Sequence, residues 1–174
     1  MKERCFSVFR KLFKKKEKVT DIVLTAPISG KMLALENVPD PVFAKKMMGD
    51  GIAVDPVNGK VVSPIDGKII QVFPTKHAVG ISTNNGVEIL IHIGLDTVNL
   101  NGEGFTSHVN EGDQVKQGEL LISFEIDLVR EKAKSTVTPI IITNTEDIAE
   151  ISINDKDNVT AGLDEIMIVK NNTQ

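Results

Sequence analysis

The sequence predicts a single all-β domain, an antiparallel β-sandwich or barrel-sandwich hybrid with a few short helical turns. The chain has 174 residues, which is the size of one domain that can bury most of its apolar surface in one core. It contains seven Phe and no Trp or Tyr, so Ile, Val and Leu must build the core, and this bias favours strands. The apolar runs are short and are separated by Gly, Pro, Asn and Asp, a spacing typical of sandwiches and barrels.

Eight short apolar runs are predicted to be strands, and three segments are predicted to be helical. The strands are residues 22–24, 32–35, 68–73, 79–83, 87–93, 120–125, 140–143 and 166–169. Residues 41–48 are predicted to form a helix because Asp40 is a good N-cap, Pro41 suits the first turn, and Gly49 suits the end. Residues 127–134 and 145–151 are predicted to form shorter helical turns.

A short internal repeat predicts a duplicated β unit. Residues 26–31, APISGK, recur as residues 63–68, SPIDGK, after a shift of 37 positions. In both copies, Pro, an apolar residue, a polar residue and Gly mark a strand that enters a turn. Two copies are typical of a pseudo-twofold arrangement, whereas a solenoid needs at least three.

The charge distribution divides the chain into a basic tail, residues 1–20, and an acidic body, residues 21–174. The tail carries a net charge of +6, which leaves −10 for the body. Four apolar residues recur in the tail at spacings of three and four: Phe6, Phe9, Leu12 and Phe13. This pattern predicts a short amphipathic helix that contacts an anionic membrane surface, and the alternative is a solvated arm. The acidic body is not expected to bind nucleic acid.

The remaining composition predicts a cytoplasmic protein, expected to be a monomer. The lone cysteine, Cys5, cannot form an internal disulfide, which suits a reducing compartment. No apolar run approaches the roughly 20 residues of a membrane-spanning helix. The N-terminus also lacks the apolar stretch and cleavage site of a secretory signal.

The most informative segment is residues 76–94, which contains two of the three histidines. Two β-rich runs flank Asn84-Asn85-Gly86, a strong hairpin signal because these residues tolerate positive φ. A loop of Asn84 and Asn85 places His77 directly opposite His92, and a loop of Asn85 and Gly86 makes them diagonal neighbours on one face. A three-residue loop would put them on opposite faces. We expect the same-face arrangement.

Alternation along the two strands assigns the faces. One aliphatic face is expected to be the core: Val87, Ile89, Ile91 and Ile93. The other is expected to carry the histidines with apolar neighbours: Glu88, Leu90 and His92 on one strand, and Thr75, His77, Val79 and Ile81 on the other. An exposed apolar patch indicates a docking surface. His108 stands apart in a loop-like stretch. Two neighbouring imidazoles could transfer a phosphoryl group by nucleophilic attack, or they could serve as two of the ligands of a zinc ion. The residues alone leave both functions open.

Residues 87–105, VEILIHIGLDTVNLNGEGF, resemble the phosphorylation motif of the glucose-family enzyme IIA proteins of the bacterial phosphoenolpyruvate:sugar phosphotransferase system. Four further segments match this family: residues 39–44, 49–53, 64–67 and 131–139. The resemblance runs from about Thr25 to the C-terminus. The tail is also similar to the N-terminal segment of free-standing members, although it is more basic.

The resemblance implies that His92 is the phosphoryl acceptor, charged by the phosphocarrier protein HPr. The group would then pass to the cysteine of an enzyme IIB domain on a sugar permease. His77 would stabilise the phosphoryl group, Thr75 would orient His77, and the carbonyl of Gly94 would orient His92. No cofactor is required by this role, although His77 and His92 could hold a zinc ion, only at a regulatory partner interface.

The resemblance also implies a docking surface around the histidines. Its apolar ring is Phe43, Met47, Phe73, Val79 and Leu90, and it is less aromatic here because family members often carry Phe at the last two positions. Asp40 and Asp96 match rim acids that would meet basic residues of HPr.

The sequence leaves three other functions open to comparison with this one. A zinc metallopeptidase is suggested by His92 and Asp96, but such enzymes also need a His-x-His pair, which the sequence lacks. A lipoyl- or biotinyl-type carrier is suggested by residues 111–120, but it needs a Lys at the hairpin tip, where this chain has Asn-Asn-Gly. A regulatory module that binds other proteins through the same face is compatible with the carrier role, because phosphorylation would add about −2 charge to that face.

Overall fold

The computed structural model describes residues 21–172, so the predicted membrane tail, Phe6 to Phe13, lies outside the described residues. The strands are β1 Ile22–Thr25, β2 Gly30–Ala34, β3 Asp50–Pro56, β4 Lys60–Val62, β5 Gly67–Val72, β6 Ala78–Ser82, β7 Glu88–His92, β8 Phe105–Ser107, β9 Gln114–Val115, β10 Leu120–Phe124, β11 Thr138–Ile142, β12 Ile148–Ile153, β13 Asn158–Val159 and β14 Glu165–Asn171. The helices are α1 Pro41–Ala44 and α2 Ile126–Lys132, and 3₁₀ turns span Leu35–Asn37, Thr97–Leu100 and Thr145–Asp147. Across this described part, no helix has the length and apolar character needed to span a bilayer.

All strand pairs are antiparallel and form three sheets. The large sheet has the order β13-β2-β3-β11-β7-β6-β5-β9, and the two smaller sheets are β1-β14-β12 and β4-β10-β8. Both edge strands of the large sheet are only two residues long, which limits the backbone available for pairing with another chain. The predicted antiparallel β-sandwich is confirmed, and residues 21–172 form no closed barrel.

All eight predicted strands occur, with ends shifted by one or two residues in most cases, but the helices are only partly as predicted. Asp40 caps α1 by accepting a hydrogen bond from the Val42 amide at 2.9 Å, yet α1 ends at Ala44 rather than Met48. The segment 145–151, predicted as helix, is wrong: a 3₁₀ turn leads into β12, which pairs with β14. Six strands were not predicted, and most of them have only two or three residues: β3, β4, β8, β9, β12 and β13.

The internal repeat forms a reciprocal contact between its two copies. Thr25 and Val62 each stand one position before a copy, and each donates its amide to the proline of the other copy: Val62 to the Pro27 carbonyl at 2.8 Å, and Thr25 to the Pro64 carbonyl at 3.0 Å. The first copy leads into β2, which pairs with β13, and the second leads into β5, which pairs with β9. Residues 111–120, which suggested a lipoyl-type carrier, therefore belong to the duplicated framework.

The large sheet is apolar on both faces. Its inner face contributes Ile52, Val79, Ile89, Ile91 and Ile140 to the main core, each at most 2% exposed. Its outer face contributes to a second, smaller cluster: Ala53, Ala78, Leu90 and Ile141, covered by Leu35, Val38, Phe43, Leu95 and Val137. This outer cluster supports the two histidines, because β7 ends at His92 on the same face as Leu90.

Candidate functional site

The hairpin between β6 and β7 has a three-residue loop, so the predicted register is wrong by one position. Ala78 lies opposite His92, and Thr83 exchanges backbone hydrogen bonds across the turn with Val87 and Gly86. Gly86 has φ +81°, as expected for the residue that ends a three-residue hairpin loop. The hydroxyl of Thr83 also accepts the Val87 amide at 3.0 Å, which closes the turn.

A second side chain from outside the hairpin holds this loop. Asn144 is 9% exposed, accepts the Glu88 amide at 2.9 Å, and donates to the Gly86 carbonyl at 2.8 Å. Both residues belong to the turn and its exit, so Asn144 favours the observed register. Asn144 lies 56 residues after Glu88 and 58 residues after Gly86 in the sequence, so the hairpin sequence alone could not predict these contacts.

The two histidine rings nevertheless meet. Their centroids are 5.0 Å apart with planes inclined at 77°. Strict alternation fails here because His77 precedes the first residue of β6 and follows Lys76, whose φ is +57°. The residue opposite His92 is Ala78, whose methyl group leaves room for the neighbouring ring. The structure therefore brings the predicted pair together. It does so because His77 lies just before the start of β6, and not because the two residues alternate onto the same face of paired strands.

Each ring is fixed through its Nδ1 atom. His92 Nδ1 lies 2.9 Å from the Gly94 carbonyl oxygen. Because a carbonyl only accepts, Nδ1 must carry the hydrogen, and the Nε2 atom of a neutral ring then keeps its lone pair. His77 Nδ1 lies 2.5 Å from the Thr75 hydroxyl. The structure thus contains the contacts predicted between Thr75 and His77 and between the Gly94 carbonyl and His92.

Both rings are neutral at pH 7. Burial disfavours the charged form of His77 and, together with repulsion by His92, lowers its pKa from 6.5 to about 4. Burial also lowers the pKa of His92, although the Gly94 carbonyl, Asp40 and Asp96 oppose that effect. A neutral imidazole with a free Nε2 is a nucleophile, whereas an imidazolium is not.

Aromatic rings flank the pair on both sides. The Phe43 ring lies 5.0 Å from His92, and the Phe73 ring lies edge-on 5.5 Å from His77. Phe43 is only 5% exposed and Leu90 only 7%, so they form the floor of the site, whereas Met47 is 70% exposed at its rim. Exposed apolar atoms beside a reactive group favour protein docking and keep water away.

Val79 does not belong to this surface. It is 0% exposed and lies in the main core, on the opposite face of the sheet from Leu90. Its place in the predicted docking ring is therefore wrong, and Ile81, assigned to the same outer face, is buried with it. The one-residue error in register is the cause, because it moves every side chain of β6 to the other face.

Three exposed apolar side chains close in sequence to site residues were not predicted. Val42, Met48 and Val98 are 37%, 41% and 50% exposed, and they lie in the segments that contain Phe43, Met47 and Asp96. All three lie outside the strands, where alternation gives no information on exposure. The one signal in the sequence for these three side chains was that each lies within a few residues of a predicted site residue.

The two rim acids occupy different settings. Asp40 is partly buried as the cap of α1, and Asp96 is exposed with φ +58° at the start of the 3₁₀ turn Thr97–Leu100. Each favours the protonated form of His92 and so opposes the lowering of its pKa by burial. They give the edge of the apolar site a negative charge.

The described residues hold no ready metal centre. Residues 21–172 contain no group of three or more His, Cys, Asp or Glu side chains arranged to hold a metal ion. His77 and His92 would supply two ligands to a zinc ion, and a partner would have to supply the others. Zinc at a partner interface stays a prediction.

The sequence that builds this fold and site matches the model of a known protein family. A model of the phosphoenolpyruvate-dependent sugar phosphotransferase system EIIA 1 family matches residues 22–148. That span covers more than half of the chain and includes both histidines and their neighbours. The chain belongs to this family.

Individual relatives agree with this assignment. The PTS system glucose-specific EIIA component of Oceanobacillus iheyensis is 54% identical over 165 residues, which cover 94% of this chain and 100% of the relative. The component of the same name from Staphylococcus aureus is 49% identical over 95% of this chain and 100% of its own length. The solved structure of glucose permease IIA from Mycoplasma capricolum is 40% identical, with a TM-score of 0.80 over 86% of this chain and 96% of that chain.

Proposed function

We propose that this protein carries a phosphoryl group from phospho-HPr to the cysteine of an enzyme IIB domain on a glucose-type permease. His92 is the acceptor and His77 stabilises the phosphoryl group. The observation that carries the proposal is the fixed tautomer of His92, whose Nδ1 binds the Gly94 carbonyl at 2.9 Å and whose Nε2 is left with a lone pair. The family assignment and the glucose-specific names of the relatives support the pathway.

The first step uses the lone pair of His92 Nε2. A nitrogen–phosphorus bond forms at Nε2 while the bond between phosphorus and its donor breaks. The hydrogen stays on Nδ1, where it is donated to the Gly94 carbonyl, and the ring takes the positive charge left by the Nε2 lone pair. Such a transfer needs positioning and charge stabilisation more than covalent help from the protein. In the second step the Nε2–phosphorus bond breaks as the thiolate of the partner's cysteine attacks.

His77 acts through its second nitrogen. When the Thr75 hydroxyl donates to Nδ1 of His77, the ring hydrogen of the neutral ring lies on Nε2 and donates to a phosphoryl oxygen. A neutral donor stabilises the developing charge without holding the phosphoryl group as a fixed cation would. Thr75 is therefore a positioning residue in this proposal.

The apolar surroundings fit docking and protection. Phe43 and Phe73 exclude water beside the rings, which slows hydrolysis of a phosphohistidine, and the exposed Met47 offers apolar contact to a partner. Asp40 and Asp96 would attract basic partners and speed encounter. In the unphosphorylated state the same face would bind regulatory proteins, and a phosphoryl group of about −2 charge would disfavour that binding.

We propose a cytoplasmic location for this role, with peripheral membrane contact through residues 1–20. The acidic body and the basic tail separate the two tasks, because partner docking uses residues of the body. A flotation assay with anionic and neutral vesicles tests the tail. Binding of the full chain to anionic vesicles alone is expected, and equal binding after neutralising the tail lysines would contradict it.

The test of the carrier function is phosphoryl uptake from phosphoenolpyruvate in the presence of enzyme I and HPr. We expect the full chain to gain one acid-labile phosphate, and His92→Ala to gain none. His77→Gln should still take up the label but fail to pass it to an enzyme IIB domain. His108→Gln is the matched control, since His108 is exposed and bonded to Ser123 away from the pair. Intact labelling of His92→Ala would refute the assignment.

A further inference from the structure

The acceptor histidine is followed by two peptide units that leave the sheet. β7 ends at His92, and the chain turns at Gly94, whose φ is +69°. A carbonyl in such a turn could point in several directions, yet that of Gly94 faces His92 Nδ1. The orientation of the acceptor ring therefore depends on what fixes these two peptide units.

Two buried hydroxyls bind the two ends of the first unit, which joins Ile93 to Gly94. The Thr97 hydroxyl donates to the Ile93 carbonyl at 2.6 Å. The Gly94 amide donates to the Thr138 hydroxyl at 3.4 Å, and that hydroxyl donates its own hydrogen to the Thr136 carbonyl at 3.0 Å. Thr97 and Thr138 are both 0% exposed.

The second unit, which joins Gly94 to Leu95, is held by its amide. The Leu95 amide donates to the Ser135 carbonyl at 2.9 Å, and the opposite end of this unit is the Gly94 carbonyl that accepts from His92. The space around Gly94 is also closed, since a Cβ there would lie 2.6 Å from Thr97 Cγ2 and 2.8 Å from the Ser135 carbonyl oxygen. The turn thus has little freedom to reorient.

We infer that Thr97 and Thr138 are positioning residues for phosphoryl transfer, because they clamp the Ile93–Gly94 peptide unit and so aim the Gly94 carbonyl at His92 Nδ1. The inference rests on the function proposed above. Neither hydroxyl touches the phosphoryl group. Their contribution is to keep the hydrogen of His92 on Nδ1 and the lone pair on Nε2.

The test replaces each hydroxyl by a methyl group of the same shape, as Thr97→Val and Thr138→Val. Thr97→Ser and Thr138→Ser restore the hydroxyl. Thr25→Val is the matched control for stability, since the Thr25 hydroxyl is 5% exposed, donates to the Pro64 carbonyl at 3.1 Å, and belongs to β1 in another sheet.

Two readouts are needed, and the first does not depend on phosphoryl transfer. In the unphosphorylated protein with ¹⁵N-labelled histidine at pH 7, the nitrogen shifts of His92 report its tautomer. We expect the Nδ1–H form in the wild type and a mixture of both forms in the Val variants. In single-turnover uptake from phospho-HPr, we expect a roughly ten- to hundredfold slower rate for the Val variants, and recovery of most of it in the Ser variants.

The outcomes separate the possibilities. Val variants with the wild-type tautomer and rate would overturn the inference, as would a loss of rate no larger than that of an equally destabilised Thr25→Val. Should Thr97→Val fail to fold, Thr138→Val and the two Ser variants decide, because Thr138 makes the longer bond to the clamped unit. Failure of the proposed function looks different: the wild type would take up no label, while a comparison of the His92 tautomer between the wild type and the Val variants would still test the clamp.

Discussion

The burial of the histidine pair should make the stability of this protein fall as the medium becomes acidic. His77 is 5% exposed, and its pKa is lowered to about 4 by burial and by the charge that His92 would carry. In the unfolded chain the ring has its ordinary pKa of 6.5. Between pH 6.5 and 4 the unfolded state binds a proton at this ring and the folded state does not. The free energy of unfolding that the neutral ring contributes above pH 6.5 is therefore lost as the pH falls towards 4.

The magnitude follows from the two pKa values of His77. A fall from 6.5 to about 4 corresponds to about 3 kcal/mol of unfolding free energy over this range. The lowered pKa of His92 acts in the same direction. Since a domain is stabilised by about 5–15 kcal/mol in total, a loss of this size is easy to measure.

The assay is urea unfolding at a series of pH values from 7 to 4, for the wild type, His77→Gln and His108→Gln. Carboxylates also titrate here, but they cancel when the variants are compared with the wild type at each pH. His77→Gln should lose about 3 kcal/mol less stability than the wild type over the range, and His108→Gln, which removes an exposed ring, should follow the wild type. An equally steep loss in His77→Gln would show that the ring protonates freely in the folded protein, and the argument from burial would fail.

Three further substitutions test the site. Gly94→Ala should cost at least about 2 kcal/mol of stability and slow phosphoryl uptake, whereas Gly118→Ala, whose φ is +84° with nothing within 4 Å of a Cβ, should cost only about 1 kcal/mol in unfolding experiments. Phe43→Ala removes a ring that is 5% exposed and should cost about 3–5 kcal/mol, while Met47→Ala, 70% exposed, should change stability by less than about 0.5 kcal/mol yet raise the KM for phospho-HPr. Asp96→Asn should slow uptake from phospho-HPr but raise the phosphorylated fraction at equilibrium by roughly two- to fivefold, and a lower fraction would contradict the role of its charge.

Strands and faces with strong alternation could be predicted from the sequence. Ile89, Ile91 and Ile93 are buried in the main core as expected, because a period of two residues decides which face a strand buries. The helix N-cap at Asp40 was equally clear, because its side chain acts within two residues. The same holds for the repeat, whose two copies differ little in sequence.

What could not be predicted depends on contacts between distant segments. The hairpin loop could have two or three residues, and the choice is supported by Asn144, which lies 56 and 58 positions from its partners in the hairpin. The placement of His77 depends on the left-handed conformation of Lys76, a residue type that gives no signal for positive φ. The pair was therefore predicted correctly for a reason that was partly wrong, since the assumed register would also have exposed Val79.

The electrostatics of the site suit a group that must leave as readily as it arrives. The rings of His77 and His92 contact each other, two phenylalanines, the Thr75 hydroxyl and the Gly94 carbonyl, and all of these are neutral at pH 7. A phosphoryl dianion on His92 would thus be stabilised by hydrogen bonds and by exclusion of water, while Asp96 and Asp40 at the rim would oppose its charge. Under the proposed function, this balance protects the group from hydrolysis and leaves its free energy high enough to pass it to a cysteine. A fixed cation beside His92 would hold the dianion more tightly and slow the second transfer, which explains why burial that keeps both imidazoles neutral serves a carrier.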